Sequence, residues 1–187
     1  MARVGVLALQ GDFEAHCKAL ASAGAGADVV EVRTAAELAA VDGLVIPGGE
    51  STAMLKLLRV ENLFDDLQIF GSHKPIFGTC AGAILLARDV INPSQESLGL
   101  MDIDVQRNGY GRQLDSRVTK IELGGEDLQA VFIRAPIIRR VGPGLRVLAE
   151  YNGDPVLAEE GRHLVATFHP ELTNDTRVQK LFLSKLS

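Results

Sequence analysis

Pro75-Ile76-Phe77-Gly78-Thr79-Cys80-Ala81-Gly82 is the stretch whose reading decides the fold. The apolar start reads as a strand, and Ala81 onward, with Ile84-Leu85-Leu86, reads as a helix. Between them one cysteine sits among small residues. A strand-to-helix turn this sharp has room only for small side chains two residues before and two after its apex, here Gly78 and Gly82. Such an elbow lifts the apex side chain above the end of a sheet. It also aims the first amides of the next helix at whatever reacts there, which favours a thiolate. The unit belongs to an α/β architecture, and it makes Cys80 a candidate nucleophile.

Outward from the elbow, short apolar runs alternate with helical stretches. Residues 4–9, 29–32, 43–46 and 76–79 read as strands. Residues 13–23, 35–40, 51–58, 63–70 and 81–87 read as helices, with Phe13, Cys17 and Leu20 forming a stripe on the first and Ser51 capping the third. This alternation implies right-handed crossovers and a mostly parallel central sheet flanked by helices. From about residue 101 the pattern changes to strands at 103–106, 116–122, 130–134, 146–151, 155–159 and 163–168, separated by Gly, Pro, Asn or Asp. These read as antiparallel additions in the C-terminal half, closed by a helix over 176–186. Residues 90–98 are the expected mobile loop. The length of 187 residues suits one domain, 1–187.

Composition excludes several function classes. A net charge of −5 gives no basic footprint for nucleic acid or an anionic membrane. Arg139-Arg140 is the densest basic spot and reads as a solvated face. No apolar run approaches the ~20 residues that span a bilayer. The first apolar stretch ends at Gln10-Gly11-Asp12, too short for a signal peptide. The two cysteines, Cys17 in a helix and Cys80 on an elbow, do not suggest a disulfide, so a reducing, cytoplasmic setting is expected. Gly24-Ala25-Gly26 follows a helix and lacks a third glycine, so it is no dinucleotide fingerprint. No metal-ligand spacing occurs, and no cofactor is implied.

Ligands of parallel sheets bind at the carboxyl ends of the strands. That points to Gln10-Gly11, Pro47-Gly48-Gly49 and Gly78-Thr79-Cys80. A cysteine nucleophile needs a base, and the base needs an orienting group. Of four histidines, His169 ends an apolar run and is followed by Pro170-Glu171. Extended backbone, favoured before proline, would put Glu171 on the same side as His169. The implied triad is Cys80, His169 and Glu171. His16 and His73 read as surface or packing residues, and Cys17 as core. The glycines of Pro47-Gly48-Gly49-Glu50-Ser51 let backbone amides approach a ligand, so Gly49 N–H, with Ala81 N–H beyond the nucleophile, would make an oxyanion hole.

Gly-x-Cys-x-Gly, a downstream His-x-Glu and an upstream Pro-Gly-Gly resemble the class I glutamine amidotransferases. Within them the chain is similar to the glutaminase subunits of pyridoxal 5′-phosphate synthase. The narrowing blocks are Leu7-Ala8-Leu9-Gln10-Gly11, Pro47-Gly48-Gly49-Glu50-Ser51-Thr52, Phe77 to Gly82, Arg107-Asn108-Gly109-Tyr110-Gly111-Arg112-Gln113, Val131-Phe132-Ile133-Arg134-Ala135-Pro136 and Phe168-His169-Pro170-Glu171-Leu172-Thr173. They run nearly end to end. The resemblance implies that Cys80 attacks the side-chain amide of L-glutamine, His169 shuttles the proton and Glu171 orients the imidazole. It also implies that Gly48, Gly49, Glu50, Arg107, Ile133 and Arg134 hold the amino acid. Gly109 and Tyr110 stand where serine and phenylalanine are expected, leaving Arg107 intact.

The implied partner is a (β/α)₈-barrel synthase subunit that takes up the ammonia and switches on the glutaminase by docking. Docking is expected to stabilise an oxyanion-forming geometry of the Gly48-Gly49 peptide, with the first strand and first helix in the docking face. The alternatives are the glutaminase of another class I amidotransferase, such as that of histidine biosynthesis, a DJ-1/PfpI-type cysteine hydrolase, or a non-catalytic scaffold on this fold. The arginine-bearing blocks favour the vitamin B6 pathway, and the paired His169 and Glu171 argue against the hydrolase and the scaffold.

Overall fold

The computed structural model describes residues 1–24, 26–108 and 116–186. In the first half the chain runs β1 (Arg3–Leu7), α1 (Phe13–Ala23), β2 (Asp28–Val32), α2 (Ala35–Ala39), β3 (Gly43–Ile46), α3 (Ser51–Val60), α4 (Phe64–His73), β4 (Ile76–Thr79) and α5 (Ala81–Leu86). It continues through β5 (Ala87–Ile91), β6 (Met101–Gln106), β7 (Ser116–Leu123), β8 (Glu126–Ile133), β9 (Ile137–Val141), β10 (Arg146–Tyr151), β11 (Asp154–Glu160), β12 (His163–Ala166) and α6 (Arg177–Leu183).

The central sheet has seven strands in the order β10-β11-β12-β4-β3-β1-β2. The pairs β1–β2, β1–β3, β3–β4 and β4–β12 are parallel, whereas β11–β12 and β10–β11 are antiparallel. The expected architecture is therefore present, with two changes in strand direction: the strand ending before His169 is a parallel neighbour of β4, at the edge of the parallel core, and β6, expected among the antiparallel additions, pairs in parallel with β5. The strands β5, β6 and β9 form a second, three-stranded sheet, and β7–β8 is a separate antiparallel ribbon. The sequence reading missed β5 and β9. The first begins within the apolar run that ends α5, and the second carries the charged pair Arg139-Arg140. That pair is held: Arg140 bonds Asp104 and Asp102 at 2.6–2.9 Å, and Arg139 Nε donates to Gln106 Oε1 at 2.7 Å.

Successive strand residues enter opposite cores, the two-residue period of a sheet buried on both faces. Leu44, Ile46, Ile76 and Val165 pack with Met54, Leu58 and Leu67 from α3 and α4. Val45, Phe77, Leu164 and Ala166 pack with Leu20, Val178 and Phe182 from α1 and α6. The Phe77 and Phe182 rings lie 5.6 Å apart, tilted by 38°. On α1 the buried pair is His16 and Leu20, four residues apart. Cys17, expected in the core, is only half-buried. Both cysteines are free thiols.

Three local expectations change. Glu50, not Ser51, caps α3: its carboxylate accepts from Thr52 N–H at 3.2 Å and Ala53 N–H at 2.7 Å. A carboxylate there also complements the helix dipole. The expected mobile loop is instead tied down. Ser97 Oγ donates to Ala87 O at 2.6 Å, Leu98 N–H to Leu85 O at 2.7 Å, and Ser51 Oγ to Gln95 Oε1 at 3.0 Å. The terminal helix stops at Leu183 and tightens into a 3₁₀ turn over Ser184–Leu186. Among the described residues no helix is long and apolar enough to cross a membrane.

Candidate active site

Four adjacent strands deliver the candidate residues at their carboxyl ends. Gln10 and Asp12 follow β1, Pro47 to Glu50 follow β3, Cys80 follows β4, and His169 to Glu171 follow β12. The crossovers that make the sheet parallel thus bring together residues far apart in sequence.

Cys80 adopts φ 49° and ψ −103°, a conformation that L-residues disfavour by roughly 1–3 kcal/mol. Its neighbours hold it there. Cys80 N–H donates to Ala166 O at 2.9 Å, and Ile84 N–H donates to Cys80 O at 3.2 Å. The glycine requirement is met by close approach: a Cβ on Gly78 would lie 2.5 Å from the Gly82 carbonyl, and one on Gly82 would collide with Ile46 O. The thiol is buried and directed to Ile133 O at 3.8 Å. Ala81 opens α5 directly after it.

His169 N–H donates to Val131 O at 2.8 Å, which fastens the loop after β12 to β8. Its Nδ1 lies 2.7 Å from Glu171 Oε1. The pairing expected of His169 and Glu171 is present, but Pro170–Leu172 form a 3₁₀ turn in place of extended chain. Burial disfavours a charged imidazole, yet the hydrogen bond to Glu171 and the neighbouring Cys80 and Glu171 charges outweigh it and raise the His169 pKa to about 10. Nε2 of His169 is buried and makes no well-aligned hydrogen bond among the described residues. Its link to Cys80 is therefore one of proximity and charge. Burial alone would raise the pKa of Glu171, but bonding to His169 and the nearby His16 ring bring it below the usual carboxylate value.

Gly48 sits against both partners: a Cβ on it would be 2.5 Å from His169 Cε1 and 3.4 Å from Cys80 Cβ. Its carbonyl accepts from Asp12 N–H at 3.4 Å, a long bond. Gly49 has φ 157° and lies against Gln10, whose Oε1 accepts from Glu50 N–H at 3.0 Å. Arg107 reaches Glu50, with Nη2 3.6 Å from Oε1, and Arg107 N–H is fixed to Ile91 O at 3.0 Å. Arg134 is exposed in a left-handed conformation with φ 46°.

A cleft of about 250 Å³ is lined by Asp12, Gly48, Gly49, Cys80, Ile133, Arg134, His169 and Leu172. That is below the ~300–1,000 Å³ of drug-sized pockets and suits a small metabolite. Glu50 and Arg107 stand beside this cleft without lining it. A larger recess of about 570 Å³ over β7 and β8 holds neither cysteine nor histidine among its lining residues. No group of three or more His, Cys, Asp or Glu that could hold a metal occurs among the described residues. Of the block 107–113, Gly109 to Gln113 lie outside the described residues.

Sequence reasoning missed Asp12, Leu172 and above all His16. His16 is buried, with Nε2 3.0 Å from Thr79 Oγ1 and 3.4 Å from Glu171 Oε2. The available signal was its four-residue spacing from Leu20, which gives the two one helix face.

Comparisons with known proteins span nearly the whole chain. The family model described as "SNO glutamine amidotransferase family" matches residues 6–187. The chain is 61% identical to the pyridoxal 5′-phosphate synthase subunit PdxT of Solibacter usitatus, over 100% of both chains. It is 55% identical to the subunit of the same name from Koribacter versatilis, over 97% of this chain and 94% of that one. A solved structure titled "Crystal structure of glutamine amidotransferase" superposes with TM-score 0.90 at 43% identity, covering 98% of each chain. On the matched span and these identities, the chain belongs to the SNO glutamine amidotransferase family.

Proposed function

We propose that this chain is the glutaminase subunit of a pyridoxal 5′-phosphate synthase, hydrolysing L-glutamine to glutamate and ammonia and passing the ammonia to a (β/α)₈-barrel synthase subunit. The observation that carries the reading is Cys80 on a strained elbow, hydrogen-bonded through its N–H to β12, whose continuation supplies the His169–Glu171 pair.

Cys80 Sγ attacks the side-chain amide carbon of glutamine with its thiol proton carried on Nε2 of the His169 imidazolium. The Glu171 carboxylate at Nδ1 holds the ring and stabilises the imidazolium. Gly49 and Ala81 N–H groups receive the oxyanion of the tetrahedral intermediate. Its collapse breaks the C–N bond, His169 returns the proton to the leaving nitrogen, and ammonia departs. The γ-glutamyl thioester is then opened by water, with His169 as base, releasing glutamate and the thiol. Gly48, Gly49, Glu50, Ile133 and Arg134 shape the amino-acid site. Arg107, paired with Glu50, is the cation for the substrate carboxylate.

The Gly48-Gly49 peptide is the gate. The long bond from Asp12 N–H to Gly48 O ties that peptide to the start of α1 and is weak enough to be broken. Partner docking on α1 would reorient the peptide toward its oxyanion geometry. The apolar rim residues Ile133 and Leu172 are exposed at the cleft mouth and suit a covering partner. A cytoplasmic setting fits the free thiols.

The test is glutamate release from glutamine by this chain alone and mixed with a barrel subunit. Strong release only in the mixture is the expected result. Release without dependence on the barrel would assign the glutaminase to another pathway, and none under either condition would overturn the reading.

A further inference from the structure

The triad leaves one buried polar atom unexplained. Glu171 gives Oε1 to His169, while Oε2 is buried without a well-aligned hydrogen bond among the described residues. An unpartnered carboxylate oxygen in the interior is costly. The nitrogen standing over it at 3.4 Å is Nε2 of His16, itself 1% exposed. That same nitrogen lies 3.0 Å from the Thr79 hydroxyl, on the residue that precedes Cys80.

The chemistry selects a tautomer. A lone pair on Nε2 would face the lone pairs of Glu171, so the proton belongs on Nε2, and the ring is a donor shared by Glu171 and Thr79. Burial holds the pKa of His16 below its usual value, which disfavours a second cation beside His169. His16 arrives from α1, Thr79 from β4 and Glu171 from the turn after β12. Three separately anchored elements therefore meet around one nitrogen, with the Thr79 hydroxyl at 3.0 Å and Glu171 Oε2 at 3.4 Å.

We propose that His16 is a positioning residue for the hydrolysis of glutamine: its Nε2–H, anchored on the Thr79 hydroxyl, holds the second oxygen of Glu171 and so sets the plane in which the first oxygen meets His169. The inference rests on the triad reading above. His16 touches neither nucleophile nor substrate and acts through Glu171. A side chain that merely filled space would be replaceable by any apolar group of its size. A positioning donor is replaceable only by another N–H at the same point.

The experiment compares wild type, His16→Leu, His16→Gln and Thr79→Val in the assembled synthase, reading kcat and KM for glutamine separately. The glutamine amide places an N–H near the position of Nε2, whereas leucine keeps bulk and removes the donor. For His16→Leu we expect kcat to fall by roughly 10–100-fold, the usual cost of losing an orienting partner, with KM within about two-fold. His16→Gln restores most of the rate, and Thr79→Val, which frees the anchor, lowers kcat by about three-fold. A second readout needs no turnover. The Nδ1 proton of His169, followed by NMR in the isolated chain, stays sharp and downfield in wild type and His16→Gln and broadens or shifts in His16→Leu and Thr79→Val. Equal losses in the leucine and glutamine variants, a change in KM alone, or an unaltered His169 proton would overturn the proposal. If His16→Leu does not fold, wild-type kcat and His169 signal in Thr79→Val overturn it. Should the wild-type assembly release no glutamate while the His169 signal follows the expected pattern, the glutaminase reading falls and the positioning role stands.

Discussion

Gly48 rests against the imidazole of His169 so closely that a Cβ added to it would stand 2.5 Å from Cε1. That is well inside van der Waals contact, and on its other side it would meet Cys80 Cβ at 3.4 Å. The ring is held by Glu171 and cannot retreat freely, so a methyl group there pushes the base off line with the thiol. Gly48→Ala should leave the chain folded and lower kcat for glutamate release by ~100-fold, the cost of about 1 Å of misplacement. A circular dichroism spectrum matching wild type, together with that loss, checks it.

Glu171→Gln preserves the shape of the pair and removes its charge. On the proposed reaction the imidazolium then loses its stabilising anion, and kcat should drop by ~10²–10⁴-fold. A folded-state His169 pKa of about 10 is raised above the ordinary 6.5, so its stabilisation is complete below about pH 6.5. It is lost as pH climbs from there toward 10. In Glu171→Gln the His169 pKa should fall toward its ordinary value and that alkaline loss of stability should shrink. An NMR titration of His169 and melting curves across this window test both.

The residues that announce themselves in sequence are those whose constraint is local. Gly78 and Gly82 are dictated by the elbow itself, and the alternation of strands and helices up to α5 follows from hydrophobic period. What escaped is long-range. That His163–Ala166 would lie parallel to β4, and that β5, β6 and β9 would leave the main sheet, depends on pairing partners that no window of sequence contains. His16 was unreadable as part of the site for the same reason. Its partners, Thr79 and Glu171, are distant in sequence and meet it only through the crossovers. Glu50 was read as a ligand residue and turns out also to cap α3. Its pKa is lowered by bonding to Thr52 and Ala53 and by Arg107.

His163 is a buried histidine of another kind. Its Nδ1 accepts the Ile76 N–H at 3.1 Å, so protonation there would set donor against donor. Burial, with the charge of Arg162, takes its pKa down to about 4. For a histidine depressed in the folded state, the stabilisation is present above the unfolded value of about 6.5 and lost as pH falls from there toward 4. Acidification across that window should cost up to ~3 kcal/mol at this site. His163→Leu should flatten that slope and lower stability at pH 7 by about 1–3 kcal/mol, because the Ile76 N–H is left unpartnered. Urea unfolding at pH 7, 5.5 and 4 separates the two effects.

Arg107 and Glu50 form a pair with unequal exposure: the guanidinium is 15% exposed, the carboxylate 55%. Arg107 is further held through its backbone to Ile91, while Glu50 is committed to the cap of α3. The arginine is therefore the fixed member, and at 3.6 Å its bond to Glu50 is loose enough to admit a competing anion. On the proposed reaction that anion is the α-carboxylate of glutamine, bound as well in the ground state as in the transition state. Loss of such uniform binding raises KM and spares kcat. Arg107→Ala should raise KM for glutamine by ~10–100-fold, the loss of a charge-assisted pair worth about 1.5–3 kcal/mol, with kcat within about three-fold. Arg107→Lys should recover only part of it, because a point charge does not replace a planar fork. Steady-state glutamate release in the assembled synthase measures both constants, and an unchanged KM would move the carboxylate site elsewhere, to Arg134 at the cleft wall.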